Sequence, residues 1–177
     1  SVAVGASALA TQNAGADAYN VAMGYNAGLS VTTGIQNTLI GGLAGDAITT
    51  ANNNTAVGYG SLTANTTGAQ NVAIGTLSLD TNTTGESMVA VGYQALDANT
   101  TGSSNTAIGR EALQANTTTS YSTAVGHQAG FNSTGAQSTY VGEGAGYYIT
   151  SGAKNTILGR YNGNQGGLDI RTASNNI

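Results

Sequence analysis

Cysteine is absent from the sequence, which excludes disulfides and thiol chemistry and leaves the redox compartment open. Proline and tryptophan are absent too, and charge is scarce. Only 7% of the residues are charged, against roughly 25% in typical soluble proteins. Four Lys and Arg stand against eight Asp and Glu, for a net charge of −4. No basic cluster exists to neutralise phosphates, so nothing points to nucleic acid. No run approaches the ~20 consecutive apolar residues of a membrane helix, so no membrane insertion is expected. No signal peptide is recognisable. So biased a composition can mean disorder, but disorder goes with high net charge and abundant Pro, Glu and Lys. Here the apolar residues are regularly placed, and an ordered repeat is expected. The chain opens at Ser1 already inside a repeat, which we read as the ordered part of a longer protein.

What is plentiful is glycine, at 27 residues. An aliphatic residue followed by Gly recurs at Gly5, Gly24, Gly41, Gly58, Gly75, Gly92, Gly109, Gly126, Gly142 and Gly159. The spacings are 19, then six of 17, then 16 and 17. The first copy carries two extra residues near Asp17 and Ala18. The eighth loses one within Asn132-Ser133-Thr134-Gly135. The unit reads Asn-Thr-Ala-Val-Gly-Tyr-x-Ala-Leu-x-Ala-Asn-Thr-Thr-Gly-x-x, with Asn54 to Gln70 as a clear copy. Repeats of this kind cannot bury a core singly and must stack.

Before each marker Gly stand β-branched or aliphatic residues two positions apart, such as Thr55 and Val57, or Val72 and Ile74. That alternation predicts a strand with both on one face. We expect this face, with Leu62, Leu79, Leu96 and Leu113, to line the interior, and the intervening Ala to face another chain. On this register Val57→Asp or Ile74→Asp would bury an unpaired charge. Asn-Thr-Thr-Gly is expected to close each coil, with Asn and Gly suited to positive φ. A helix is excluded by two or three glycines per unit and by aliphatic spacing that does not follow 3.6. The fold class is therefore all-β: a parallel β-solenoid of about ten 17-residue coils over residues 1–159, followed by a terminal coil and junction over 160–177. An Ala-lined face implies side-by-side chains, and periodicity does not give their number.

Asn-Thr-Ala-Val-Gly, and Ser1-Val2-Ala3-Val4-Gly5, are similar to the head repeats of trimeric autotransporter adhesins. The longer unit resembles the shafts of phage tail fibres that precede a self-cleaving, endosialidase-type intramolecular chaperone domain. The run from Gly159 to Arg171 resembles the junction after such repeats. The resemblance implies a left-handed β-roll wound as a homotrimer, in an extracellular or virion-surface fibre joined to further fibre domains.

Candidate sites are read against the repeat. The lone His127 follows a marker Gly, where other coils carry Tyr, Arg or Glu, and is expected to be a solvated side chain. Asp46, Asp80 and Asp97 share one position; Asp80 and Asp97, on adjacent coils, are placed to share a hard cation or to be plain turn residues. Gly142-Glu143-Gly144-Ala145-Gly146 lacks the helix and Lys of a phosphate loop. Sequons at Asn53, Asn65, Asn82, Asn99, Asn116 and Asn132 are read as corner residues. Thr32, Thr49, Thr66, Thr83, Thr100, Thr117, Thr134 and Thr150 form a ladder that either orders water, as an ice-binding solenoid does, or satisfies corner backbone groups. Tyr25, Tyr59 and Tyr93 share another position, with Tyr147 and Tyr148 near the end; these stack on a host glycan or pack between chains. No catalytic set, cofactor or metal site is expected. The expected role is a structural fibre shaft, that of a phage tail fibre supporting host attachment, with a bacterial adhesin or extracellular fibril, or an ice-binding solenoid, as alternatives.

Overall fold

The repeat dictates one short strand per coil. The computed structural model describes residues 1–15, 17–165 and 168–175. Two glycines of the junction-like run, Gly166 and Gly167, and the last two residues of the terminal unit lie outside the described residues. The strands are β1 (Val2–Val4), β2 (Val21–Met23), β3 (Thr38–Ile40), β4 (Thr55–Val57), β5 (Val72–Ile74), β6 (Val89–Val91), β7 (Thr106–Ile108), β8 (Thr123–Val125), β9 (Thr139–Val141) and β10 (Thr156–Leu158). They form a single ten-stranded sheet in sequence order. Every neighbouring pair is parallel and pairs repeat position to repeat position, as in Thr55↔Val72, Ala56↔Ala73 and Val57↔Ile74. A short antiparallel pair follows, β11 (Asn164–Gln165) with β12 (Leu168–Asp169). The protein is a β-solenoid, as the period requires.

The rest of each coil is turn, yet its backbone also bonds to the next coil. Leu62 N–H donates to Ser78 O at 3.1 Å, Ala64 to Asp80 at 3.0 Å and Thr66 to Thr83 at 2.9 Å. The stack thereby satisfies main-chain groups that lie in no strand.

The inside–outside register is the reverse of the sequence expectation. The middle residue of the strand points inward: Ala56, Ala73, Ala90, Ala107 and Ala124 are fully buried. Its flanking residues point outward, and Ile74 is 40% exposed. The reason is volume. A coil with one three-residue strand is narrow, and its interior also receives the residues three, four and seven after the marker Gly. Small side chains fit inside, so Ala is not the chain–chain face, and Val57→Asp or Ile74→Asp would place a charge outside.

Where the strand centre is large, the opposing turn is glycine. Leu39 lies between Gly28 and Gly45: a Cβ at either would come within 2.7 and 2.8 Å of its methyls. Tyr140 lies likewise between Gly130 and Gly146, whose Cβ atoms would approach its ring to 2.6 and 2.5 Å. Where the strand centre is Ala, Leu62, Leu79, Leu96 and Leu113 fill the space, all fully buried. The choice of Leu or Gly four residues after the marker Gly thus conserves interior volume.

The corners also differ from expectation. Neither Asn65 nor Gly68 adopts positive φ; Leu62 (φ 54°) and Gln70 (φ 60°) do. Gly68 is needed for a close approach, because a Cβ there would collide with the carbonyl oxygen of Gly85. The marker glycines carry both constraints. Gly75 has φ +131°, and a Cβ on it would stand 2.5 Å from the oxygen of Gly92.

Candidate functional site

Three surfaces run along the rod, each set by a repeat position. The first is the outer sheet face. The residue before each marker Gly is apolar in every coil, and Val4, Met23, Ile40, Ile74, Ile108, Val141 and Leu158 are all exposed. Thr or Val from the other outward strand position lies half-buried beside this row from Val21 to Thr156, and Val2 at the end of the sheet is exposed.

The second surface is the threonine corner. The hydroxyls of Thr32, Thr49, Thr66, Thr83 and Thr100 each donate to the backbone oxygen of the equivalent Thr in the next coil, at 3.0–3.2 Å. Thr134 donates to Thr150 O at 3.3 Å, and Thr150 to Arg171 O at 3.2 Å. Thr117 continues the row as an exposed residue. These protons are therefore used in corner bonding, while Thr33, Thr50, Thr67, Thr84, Thr101 and Thr118 form the exposed row beside them.

Behind that corner run two buried amide ladders. Asn37 N–H donates to Asn20 Oδ1 at 2.8 Å, Asn54 N–H to Asn37 Oδ1 at 3.0 Å and Asn71 N–H to Asn54 Oδ1 at 3.0 Å. The second ladder contains four of the six sequons. Asn65, Asn82, Asn99 and Asn116 are fully buried. Asn82 Nδ2 donates to Asn65 Oδ1 at 2.9 Å, and Asn99 Nδ2 to Asn82 Oδ1 at 3.1 Å. The ladder ends at Asn116, whose Nδ2 turns to Thr119 Oγ1 at 2.8 Å, because Thr119 replaces the glycine of the other coils. Asn99 Oδ1 is left buried without a partner. Only Asn53 and Asn132 among the sequons reach the surface.

The third surface is the turn after the marker Gly, and it gathers most of the chemistry. Tyr25, Tyr59 and Tyr93 point outward, 62%, 57% and 44% exposed. They alternate with Gly42 and Thr76, so their rings occupy every second coil. The Arg110 guanidinium lies 5.9 Å from the Tyr93 ring centre and pairs with Glu111 at 2.6 Å. Glu111 also accepts from Gln128 Nε2 at 2.7 Å. His127 sits half-buried in the row between Arg110 and Glu143.

Asp46, Asp80 and Asp97 occupy the adjoining row, with Thr63 between the first two. Burial raises the pKa of each above the ordinary 3.8; for Asp97 the neighbouring Asp80 charge adds to this, and a hydrogen bond from Gln114 opposes it. Among the described residues no group of three or more His, Cys, Asp or Glu is placed to hold a metal ion.

The same row changes character in the last coils. It reads Asp80, Asp97, Gln114, Phe131, Tyr147. Phe131 and Tyr147 stack at 5.0 Å with an interplanar angle of 12°, and Tyr148 meets Tyr147 edge-on at 4.8 Å. Beside them opens a cavity of about 380 Å³ lined by Gln128, Glu143, Tyr147, Tyr148, Arg160 and Asn162. Arg160 Nε pairs with Glu143 Oε2 across its rim at 2.6 Å. Sequence reasoning noted the tyrosine pair, and Arg160 and Asn162 only as part of the junction-like run, but not Gln128 or Phe131. Following this one row through successive coils would have found the aromatic switch.

No helix of the described residues is long and apolar enough to cross a membrane. Comparison with protein-family models, curated proteins and solved structures gives no match.

Proposed function

We propose that the chain is the structural shaft of a homotrimeric extracellular fibre, a phage tail fibre that holds a receptor-binding tip away from the particle. The observation that supports this reading is the outer sheet face. Ten successive rungs present an apolar residue to solvent in one straight row, over a length on the order of 45 Å at ~4.8 Å per coil. Contiguous exposed apolar surface of that extent marks an interaction site. Copies of the same rod match each other in pitch, so self-association covers the row along its whole length. The mechanism is mechanical: continuous coil-to-coil bonding gives a stiff rod, and sparse charge with polar corners limits nonspecific adhesion. A bacterial surface fibril would use the same construction, and a membrane-anchor rather than a chaperone domain encoded alongside would favour it.

Ile74→Asp tests the reading. Sedimentation should give a trimer for the wild type at micromolar concentration. The variant should stay folded by circular dichroism yet sediment as a smaller species, because its charge lies on the outer face. A wild-type monomer would overturn the proposal.

A further inference from the structure

We infer that the cavity beside Tyr147 and Tyr148 is a binding site for a neutral saccharide, carried by the shaft itself. The inference goes beyond the structural role and is independent of it, since one chain builds the whole pocket. Its size, about 380 Å³, lies at the small end of the roughly 300–1,000 Å³ range of ligand sites. A short oligosaccharide is of that scale.

The lining chemistry selects the class. Glu143 and Arg160 neutralise each other at 2.6 Å, so the pocket offers no net charge to an anion or a cation. What remains are amides and phenols: Gln128, Asn162, Tyr147 and Tyr148. Each combines donors with acceptors, as a ligand rich in hydroxyl groups requires. Tyr148 adds an exposed aromatic surface, 47% accessible. A pyranose presents a face of C–H groups and a rim of hydroxyls, and a tyrosine beside amides matches both.

The repeat shows that an aromatic at the Tyr148 position is not needed for folding. The position of Tyr148 is occupied by Ala47, Ala64, Ala98 and Ala115 in other coils. The aromatic pair Phe131 and Tyr147 replaces the Leu, Asp, Thr or Gln that the same row carries from Leu29 to Gln114. Their stacking at 5.0 Å fixes Tyr147, and the edge contact at 4.8 Å orients Tyr148. The cluster appears where the period shortens to 16 between Gly126 and Gly142, which changes the corner beneath it.

The test is a glycan microarray carrying neutral and acidic oligosaccharides, probed with the fluorescently labelled chain. The best-bound glycan is then titrated in solution against the wild type, Tyr148→Ala, Gln128→Ala and the distant Tyr59→Ala. We expect binding to neutral glycans, loss of roughly tenfold or more in affinity for each of the first two variants, and wild-type affinity for Tyr59→Ala. Tyr148→Ala should melt with the wild type, because alanine already serves at that position in other coils, and circular dichroism checks that Gln128→Ala, which gives up its bond to Glu111, keeps the fold. No bound glycan, binding confined to acidic glycans, or unchanged affinity in both pocket variants would overturn the assignment.

Discussion

Replacing Tyr140 by Ala while replacing Gly130 by Leu tests the rule that interior volume is shared between the strand centre and the turn. Tyr140 is fully buried, and its hydroxyl lies 3.1 Å from Ser133 Oγ. Tyr140→Ala alone leaves a cavity flanked by Gly130 and Gly146, and large aromatic deletions cost about 3–5 kcal/mol. Gly130→Leu alone forces a side chain to within 2.6 Å of the Tyr140 ring, an overpacking worth about 1–3 kcal/mol. Backbone strain is not the obstacle: Gly130 has φ 62°, and Leu96 and Leu113 hold the same turn position at φ 52° and 50°. In the double variant the new Leu extends the column of Leu62, Leu79, Leu96 and Leu113 by one rung, into the space the ring vacates. The pair should therefore be more stable than the sum of the singles by about 2–3 kcal/mol, the upper part of the range for residues in contact. At roughly 2–4 °C per kcal/mol for a chain of this size, that coupling is a shift of about 4–12 °C. Denaturant melts supply the cycle, and amide exchange at Ala124 and Val141 localises it, since repeat arrays need not unfold in two states. Additivity within about 0.5 kcal/mol would refute the volume rule.

Two further perturbations address polar groups. Asn71→Ala removes the acceptor of Met88 N–H, at 3.1 Å, and the donor to Gly85 O, at 2.9 Å. Met88 N–H loses its partner, while Gly85 O keeps the bond from Asn82 Nδ2 at 3.0 Å, so we expect a destabilisation of about 1–3 kcal/mol, read by urea melting and by lost amide protection at Met88. Asp46, Asp80 and Asp97 have folded-state pKa values raised above 3.8 by burial. The folded state therefore holds protons that the unfolded state has released, and their contribution to stability falls as pH rises above 3.8 through the folded values. Asp97→Asn should raise the melting temperature at neutral pH and flatten that slope; an unchanged slope would mean the carboxylate is solvated.

The period, the strand position and the solenoid architecture were legible because each coil repeats the same local choices. The register was not, and Thr55-Ala56-Val57 shows why. Alternation shows that Thr55 and Val57 share a face, but not which face. Assigning the larger residues inward applied a rule that holds in one direction only, since much of any protein surface is apolar. The deciding quantity was the width of a coil with one three-residue strand, which depends on turns at Leu62 and Gln70 whose positive φ nothing in their residue types announces. The Thr corner was legible as one reading of the Thr ladder, because Thr recurs in eight successive coils. The amide ladders were partly hidden: Asn65 reads as a sequon and Asn54 only as the first residue of the unit, while stacking shows both to be internal.

The reversed register also explains how so thin a rod combines a closed core with an apolar exterior. Inside, the sum of several positions is constrained, so Leu39 or Tyr140 can be exchanged against turn leucines from coil to coil. Outside, no such exchange is possible, because each rung presents its residue alone. The row before the marker Gly is accordingly uniform in character, Val, Ile, Met or Leu throughout, while the interior varies from Ala to Tyr. A row that merely decorated the surface would have drifted to Thr or Ser, as the neighbouring outward position has done in Thr38, Thr55, Thr106, Thr123, Thr139 and Thr156. Coils with a strictly apolar outward position and a freely varying inward one fit selection on contact with another surface, and that contrast distinguishes the sheet face from the sugar-sized pocket, where Tyr147 and Tyr148 have no aromatic counterpart at their positions in the first seven coils.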